Sequence, residues 1–494
     1  MSGSLKALEA EIRRDLIRLN YPPANWPLAV ETPGGEPVLD VLIVGAGMFG
    51  QTAAFALIRD GVRNLSIIDR APAGREGPWV TYARMTTLRS PKHLTGPDLG
   101  IPSLTFRAWY VAQHGEAGWS ALYKIGREDW QLYLLWIRYL TGIPVKNDTT
   151  LRSLLPGPGG LLRAELDGPG GTQSLLARQV VLASGRDGTG GPNIPAFPSM
   201  PNGITPALRA IGRVFHSSDA IEFADFAGRR IAVLGASASA FDNAGAALEA
   251  GASVAMFARR ATLPQVNKTR GMVFTGFLRG FALLDDAMRW RFLTYTAAEA
   301  SPPPHESVMR CERQPGFRLQ LGASWLDVGA DASGVTITTA ADGAQRFDAA
   351  IFGTGFTVVP ARQPGLEAFH DSMMLWRDRV PEAEAARWPT LAGQPYLGLG
   401  FELTARDPIT APVTARALAR VRLLGSAAAT SHGILSGDIP AVATAAVNLA
   451  RAIGAALFIE DAERHYSAIV AFEESELATT PYFIPAKGRE PPRS

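Results

Sequence analysis

The chain carries one local pattern twice: an apolar strand, a glycine-rich turn and a helix, first at "VLIVGAGMFG" (residues 41–50) and again at "IAVLGASASAFDN" (residues 231–243). A strand entering a helix through such a turn gathers free backbone N–H groups and a helix N-terminus at one spot, a ready site for a dinucleotide pyrophosphate. Two copies predict an α/β chain of two doubly wound, Rossmann-like dinucleotide-binding domains. In the first copy Gly45, Gly47 and Gly50 satisfy G-x-G-x-x-G. They serve the tight turn, close phosphate approach and helix-to-strand packing in that order. The next strand, "NLSIIDR", ends in Asp69, 24 residues past Gly45, where a carboxylate accepts ribose hydroxyls; Arg70 adjoins it.

The second copy reads Gly235-Ala236-Ser237-Ala238-Ser239-Ala240, with Ser and Ala at the second and third glycine positions. Ser237 and Ser239 still permit phosphate approach and add hydroxyl donors. The following strand, "SVAMFARR", puts Arg259 at the same 24-residue offset, with Arg260 beside it. A carboxylate there would repel a ribose 2′-phosphate, whereas a guanidinium binds it bidentately. The first site therefore suits a cofactor with a free ribose and the second suits NADPH. Two nucleotide sites in one chain make sense if electrons pass between them, and nicotinamide hydride is most simply handed to a flavin. FAD with NADPH is the economical pairing.

Cys311 is the only cysteine, so thiol–disulfide chemistry lacks its second thiol. The 48 basic and 46 acidic residues give a net charge of +2 with no basic block, which argues against a nucleic-acid partner. Neither HExxH nor G-x-S-x-G occurs, and no clustered metal ligands are expected. Residues 4–19 predict an amphipathic helix through Leu5, Leu8, Ile12, Leu16 and Leu19, without a signal-peptide core. The segment "AVATAAVNLARAIGAALFI" is interrupted by Asn448 and Arg451, a poor membrane span. The expectation is a cytoplasmic protein with no integral membrane segment, with room for a homodimer.

With these residues in place, the chain resembles the FAD- and NADPH-dependent flavoprotein monooxygenases of the flavin-containing, N-hydroxylating and Baeyer-Villiger kind. "GPWVTYARM", containing Trp79, stands where those enzymes carry a Gly-Thr-Trp loop over the flavin. "VVLASG" and "AAIFGTGF" resemble their paired linker motifs, and "GASASAFD" their NADPH fingerprint, Asp242 included. "LSGDIPAVATAAVNLAR" resembles the Gly-Asp turn at the head of a helix, which implies contact of Gly437 and Asp438 with the flavin ribityl chain. Of the F-x-G-x-x-x-H signature, Gly212 and His216 remain. The texture of "EGPWVTYARMTTLRSPKHLTGPDLGIPSLTF" and "SHGILSGDIPA" is similar to a bacterial subgroup containing FAD-dependent urate hydroxylases and aspartate or glutamate N-monooxygenases.

The resemblance implies a single-component monooxygenase. It would use NADPH and O2, through an oxygen adduct at flavin C4a, to hydroxylate a urate-like purine or an amino-acid nitrogen. The NADPH domain (206–345) would be inserted into a discontinuous FAD domain (38–205 and 346–494), behind an N-terminal extension (1–37). Arg84, Arg89, Lys92 and His93 lie in a loop expected to pass the isoalloxazine, so Arg84 and Lys92 are candidate substrate or flavin contacts; a solvated loop face fits as well. His432, just before the Gly-Asp turn, is another. Asn267 and Lys268 follow the Arg pair and could reach NADPH, although a surface lysine is the commoner fate. His216 reads as a structural histidine of the linker, and Trp109, Trp119, Trp130 and Trp136 as core. Two alternatives stay open: an NADPH-dependent oxidase or quinone-type reductase without oxygen insertion, and a flavin-binding regulatory protein with a silent NADPH site.

Overall fold

The structure, a computed structural model, describes residues 2–32, 34–93, 96–186, 188–436, 438–474, 476–477 and 482. The described residues form two sheets built on parallel strands, the first extended by an antiparallel pair, and a separate antiparallel meander. The first takes strands β1 (Val38–Val44), β2 (Leu65–Ile68), β3 (Val145–Lys146), β4 (Thr150–Pro156), β5 (Leu162–Gly168) and β6 (Gly171–Leu182). The second takes β7 (Val214–His216), β8 (Arg230–Leu234), β9 (Ser253–Ala258), β10 (Phe317–Leu321) and β14 (Ala349–Phe352), after the separate antiparallel meander β11 (Trp325–Asp331), β12 (Gly334–Thr339) and β13 (Gly343–Phe347). The last strand, β15 (Val421–Leu423), returns to the first sheet and pairs with β6.

The parallel orders are β3-β2-β1-β6-β15 and β10-β9-β8-β14-β7. Each unit thus has five parallel strands and a three-stranded antiparallel excursion, β4-β5-β6 in the first and β11-β12-β13 in the second. The fifth strands are exchanged. The strand that follows β6 along the chain joins the second sheet, and the strand that follows β14 joins the first. The second unit extends through β14, which pairs with β8, so the return to the first unit lies after Phe352 and not at residue 346 as the sequence suggested. The meander must rejoin its own sheet before the chain can cross back.

Helices cover both sheets, and the central strands are accordingly apolar on both faces. α2 (Met48–Arg59) follows β1 and packs on the long helix Val442–Glu460, which buries Ala445, Ala446, Leu449, Ala450, Ile453 and Leu457. The stretch Ile439–Glu460 is long and apolar enough to cross a bilayer by composition, but here it packs one face into the core. α3 (Phe106–Ala121) and α4 (Arg127–Thr141) bury Trp109, Trp119, Trp130 and Trp136 as expected. α1 (Ser2–Arg18) lies on these helices, with Ile12 and Leu16 buried and Leu5 and Leu8 partly so; Leu19 is 55% exposed, past the helix end. Bonds from Ser103 Oγ to Asp15 (2.7 Å) and from Trp136 Nε1 to Glu9 (3.2 Å) fix it to the first unit.

In the second unit α5 (Pro206–Ile211) precedes β7 and α6 (Ala238–Glu249) follows β8. A helical insertion between β9 and β10, absent from the sequence reading, holds α7 (Thr275–Gly280), α8 (Asp286–Glu299) and α9 (His305–Glu312). It packs on the first unit: Trp290 stacks on Trp376, and Phe277 and Phe281 lie against Gly433.

Candidate active site

Register brings the chemistry to one edge of each sheet. Val44 pairs with Ile68 and Leu182, and Leu182 with Leu423, so Gly45, Asp69, Ala183 and Leu424 emerge together. Leu234 pairs with Phe257 and Phe352, and Phe352 with His216, which does the same for Gly235 and Gly353. Ligands of open α/β sheets bind beyond such carboxyl ends.

At the first edge Gly45 has φ +101°, and a Cβ on it would lie 2.4 Å from Ala183 O; a Cβ on Gly50 would lie 1.8 Å from Gly45 O. Glycine is therefore obligatory at both. A Cβ on Gly47 would meet only the Gly77 backbone, its Cα at 3.7 Å and N at 3.9 Å, so two bare backbones face each other at the N-terminus of α2. The Asp69 carboxylate accepts N–H bonds from Ala46 (2.7 Å) and Ala71 (2.8 Å) and so shapes the turn; burial pushes its pKa up. Arg70 is exposed beside it. Trp79 lies edge-on to Trp130. The loop from 70 to 79 is braced by residues the sequence reading missed: Arg138 and Asn147 on Glu76 (2.6 Å each), Gln131 on Gly74 O (2.9 Å) and Arg127 on Trp79 O (2.6 Å). Their partners are far along the chain, and no local pattern marks them.

FAD fits this edge on an independent observation. Trp79 Nε1, Ser184 Oγ and Ser426 Oγ are buried polar atoms without a partner among the described residues, all within the segments that follow β2, β6 and β15. Such atoms cost free energy unless a ligand or water satisfies them. Asp438 accepts a hydrogen bond from Ile439 N (2.9 Å) at the turn leading to the long helix, and burial raises its pKa. Gly437 lies outside the described residues.

At the second edge Gly235 has φ +113°, and a Cβ there would lie 2.5 Å from Gly353 O. Ser237 caps α6 with an exposed side chain that makes no capping bond, and Ser239 follows at the first turn. Arg259 and Arg260 are exposed at the end of β9, with no ion pair or side-chain hydrogen bond among the described residues. A phosphate-bearing nucleotide therefore finds free hydroxyls at the turn and free guanidinium groups at the strand end.

Four candidates are corrected. The Lys92 ammonium donates to the carbonyls of Trp119, Ser120 and Leu122, closing the C-terminal end of α3. Arg84 donates to Thr81 O and, in the second unit, to Asp219 O at 3.4 Å. His432 is buried, stacks on Phe401 with ring centroids 3.9 Å apart and bonds Gly398 O through Nε2 (3.0 Å). Burial pushes its pKa down to about 4, so the ring is neutral and structural. Lys268 turns to α8, 4.0 Å from Glu299 and over the Tyr295 ring. In each case a long or polar side chain found protein partners that spacing could not reveal.

Both crossings are tied. His216 bonds Ser218 Oγ through Nδ1 (2.7 Å) and Gly355 O through Nε2 (2.9 Å), joining the two linkers as a structural histidine should. From α9, Glu306 accepts Lys124 Nζ (2.7 Å) and Tyr123 OH (2.9 Å), while Arg310 donates to Arg84 O (2.8 Å). Cys311 is fully buried, and burial pushes its thiol up to about 12, so it offers no thiolate. Among the described residues no group of His, Cys, Asp or Glu could hold a metal.

Residues 39–278 match the family model for pyridine nucleotide-disulphide oxidoreductases. A FAD-dependent urate hydroxylase from Xanthomonas campestris pv. campestris is 40% identical over 477 residues, covering 96% of this chain and 97% of that protein. Among solved structures, an ornithine hydroxylase from Pseudomonas aeruginosa aligns with a TM-score of 0.64 at 18% identity, over 84% of this chain and 98% of that one. An ornithine N-hydroxylase from Kutzneria sp. 744, in complex with reduced FAD, NADP+ and L-ornithine, aligns with a TM-score of 0.65 at 15% identity, over 85% and 100%. These two share the fold.

Proposed function

Because the chain belongs to the flavoprotein monooxygenase family of the FAD-dependent urate hydroxylase, we propose that it is a single-component, FAD-dependent monooxygenase that uses NADPH and O2 to hydroxylate urate or a closely similar small polar anion. The observation that carries the cofactor pairing is the contrast at equivalent strand ends: Asp69 bonded into the first turn, Arg259 and Arg260 free at the second. The sealed Cys311 thiol removes the disulfide chemistry in the matching family model's description.

In this reading Gly45, Gly47 and Gly50 with the N-terminus of α2 hold the FAD pyrophosphate, and Asp69 takes the adenosine ribose with Arg70 alongside. Trp79, Ser184 and Ser426 satisfy their free polar atoms on the flavin portion, and Asp438 with Gly437 takes the ribityl hydroxyls. Gly235, Ser237 and Ser239 bind the NADPH pyrophosphate, and Arg259 and Arg260 its 2′-phosphate. Bound FAD supplies electron transfer from NADPH to dioxygen. The protein's own work is to hold both nucleotides at the two sheet edges and to exclude water, through the packing of α7 on Gly433 and the Arg84 and Glu306 contacts between the units. A cytoplasmic homodimer belongs to the same reading; the exposed Ile459 at the end of the long helix and Tyr466, Ile469 and Val470 of the following helix Ala462–Val470 support self-association.

The deciding experiment reduces the yellow protein anaerobically with NADPH and mixes it with oxygenated buffer, with and without urate. Urate loss matching NADPH consumption is expected. Stoichiometric hydrogen peroxide, unchanged by urate, would make the chain an NADPH oxidase.

A further inference from the structure

The long helix Val442–Glu460 is apolar along most of its length, yet it carries Thr444, Asn448 and Arg451. Spaced by four and then three residues, these fall on one stripe of the helix. The core side of the same helix is filled by Ala445, Leu449 and Ile453, all fully buried. The polar stripe lines a groove of about 470 Å³ instead. Arg279 of α7 lines it from the second unit, and Leu99 and Val447 give it apolar surface.

The groove runs outward from the flavin edge. Its inner end, Thr444, comes one helical turn after the short turn Ile439–Ala441 that Asp438 caps. Arg451 lies about 10 Å further along the helix axis, at 1.5 Å per residue. One turn beyond, a Cβ on Gly454 would lie 3.8 Å from the Trp26 ring, and Trp26 donates to Asp60 O (2.9 Å) at the end of α2. The outer end is therefore at the end of α2 remote from Gly47.

The groove's polar groups are left open. Among the described residues the side chains of Arg279, Thr444, Asn448 and Arg451 make no hydrogen bond, and neither guanidinium has an ion pair. Both arginines are exposed, and Thr444 and Asn448 are half-buried. Arg59, at the same end of α2, donates to Leu99 O (2.8 Å). Asp60 is within electrostatic reach of Arg451 and forms no ion pair with it. Each free guanidinium offers a fork of donors to an oxyanion and a flat face to a π-system. Apolar surface between the polar groups favours an organic body over a hydrated inorganic ion.

We propose that this groove is a second binding site for a small, flat organic anion, held by Arg279 and Arg451, with Thr444 and Asn448 completing its hydrogen bonds. It captures the anionic substrate on the way to the flavin edge, a role that rests on the monooxygenase reading.

The test uses the FAD-loaded full chain with urate as the probe. Equilibrium dialysis counts urate bound per chain, while the flavin difference spectrum reports only the molecule at the flavin. The native protein should bind two urate molecules. In Arg279→Gln, Arg451→Gln and the double variant one of the two should weaken at least tenfold, with the spectral titration and the FAD content unchanged. Added salt should weaken that same site, because exposed charges are screened. Steady-state KM for urate should rise in the variants at constant kcat. Urate binding that survives the double substitution at native stoichiometry and affinity overturns the site, and so does inorganic phosphate that displaces the groove-bound urate at equal concentration. An unchanged KM beside a weakened groove overturns the capture role. The monooxygenase reading fails separately, if turnover with NADPH returns all its oxygen as hydrogen peroxide while the groove still binds urate.

Discussion

Gly50 and Ala240 hold the same place in the two turns, yet one must be glycine and the other carries a methyl group. In the first unit Ala183 at the end of β6 lies 3.5 Å from a Cβ built on Gly50. In the second unit the residue after β14 is Gly353, and a Cβ on it would lie 2.5 Å from Ala240 Cβ. The methyl has moved from strand end to helix, so the altered second fingerprint keeps its close packing. In the proposed reading the free charges beyond β9 decide coenzyme choice. Arg259→Ala should raise KM for NADPH by about 10- to 100-fold, on the scale of a lost charge-assisted hydrogen bond of about 1.5–3 kcal/mol. KM for NADH should change little, and steady-state kinetics with both coenzymes check this.

The short helical turn Ala429–His432 and the loop before β15 form one wired element. Ser431 Oγ accepts Trp376 Nε1 (3.1 Å) and Leu397 N (3.0 Å), and His432 is held by Gly398 and Phe401. The nearby Arg289 opposes protonation of His432, reinforcing burial. The folded pKa, about 4, is below the unfolded value near 6.5. The unfolded chain therefore takes the proton first as pH falls. The contribution is full above pH 6.5 and is lost toward pH 4, on the order of 3 kcal/mol. His216, also pushed down by burial, acts in the same direction. Buried Asp242 and half-buried Asp69 and Asp438, pushed up, offset part of the loss at the acid end. Chemical denaturation from pH 7 to 4.5 should show falling stability in the native protein, and a shallower fall in His432→Gln.

The two units exchange their fifth strands, so neither sheet is complete without a strand reached through the other unit. Unfolding one unit removes an edge strand and both crossings from its neighbour. Scanning calorimetry should therefore show one cooperative transition, moved upward by added FAD because the cofactor binds only the folded state. Two separated transitions, with FAD shifting one, would mean the crossings carry little coupling. Much of this architecture was legible in the sequence. Spacing of Gly45, Gly50 and Asp69, and of Gly235 and Arg259, determined two glycine-turn edges with a carboxylate at one and a guanidinium at the other, the basis of the proposed cofactor pairing, since each follows from backbone sterics and charge within about 25 residues of chain. The helical nature of α1 and the structural place of His216 and the tryptophans were equally local matters. Tertiary structure alone decided which cations stay free. Lys92 meets the end of α3 and Arg84 meets Asp219, and only folding sets those distances. The strand exchange and the docking of α7 on Gly433 were likewise settled by packing between residues far apart in the chain, which no local pattern encodes.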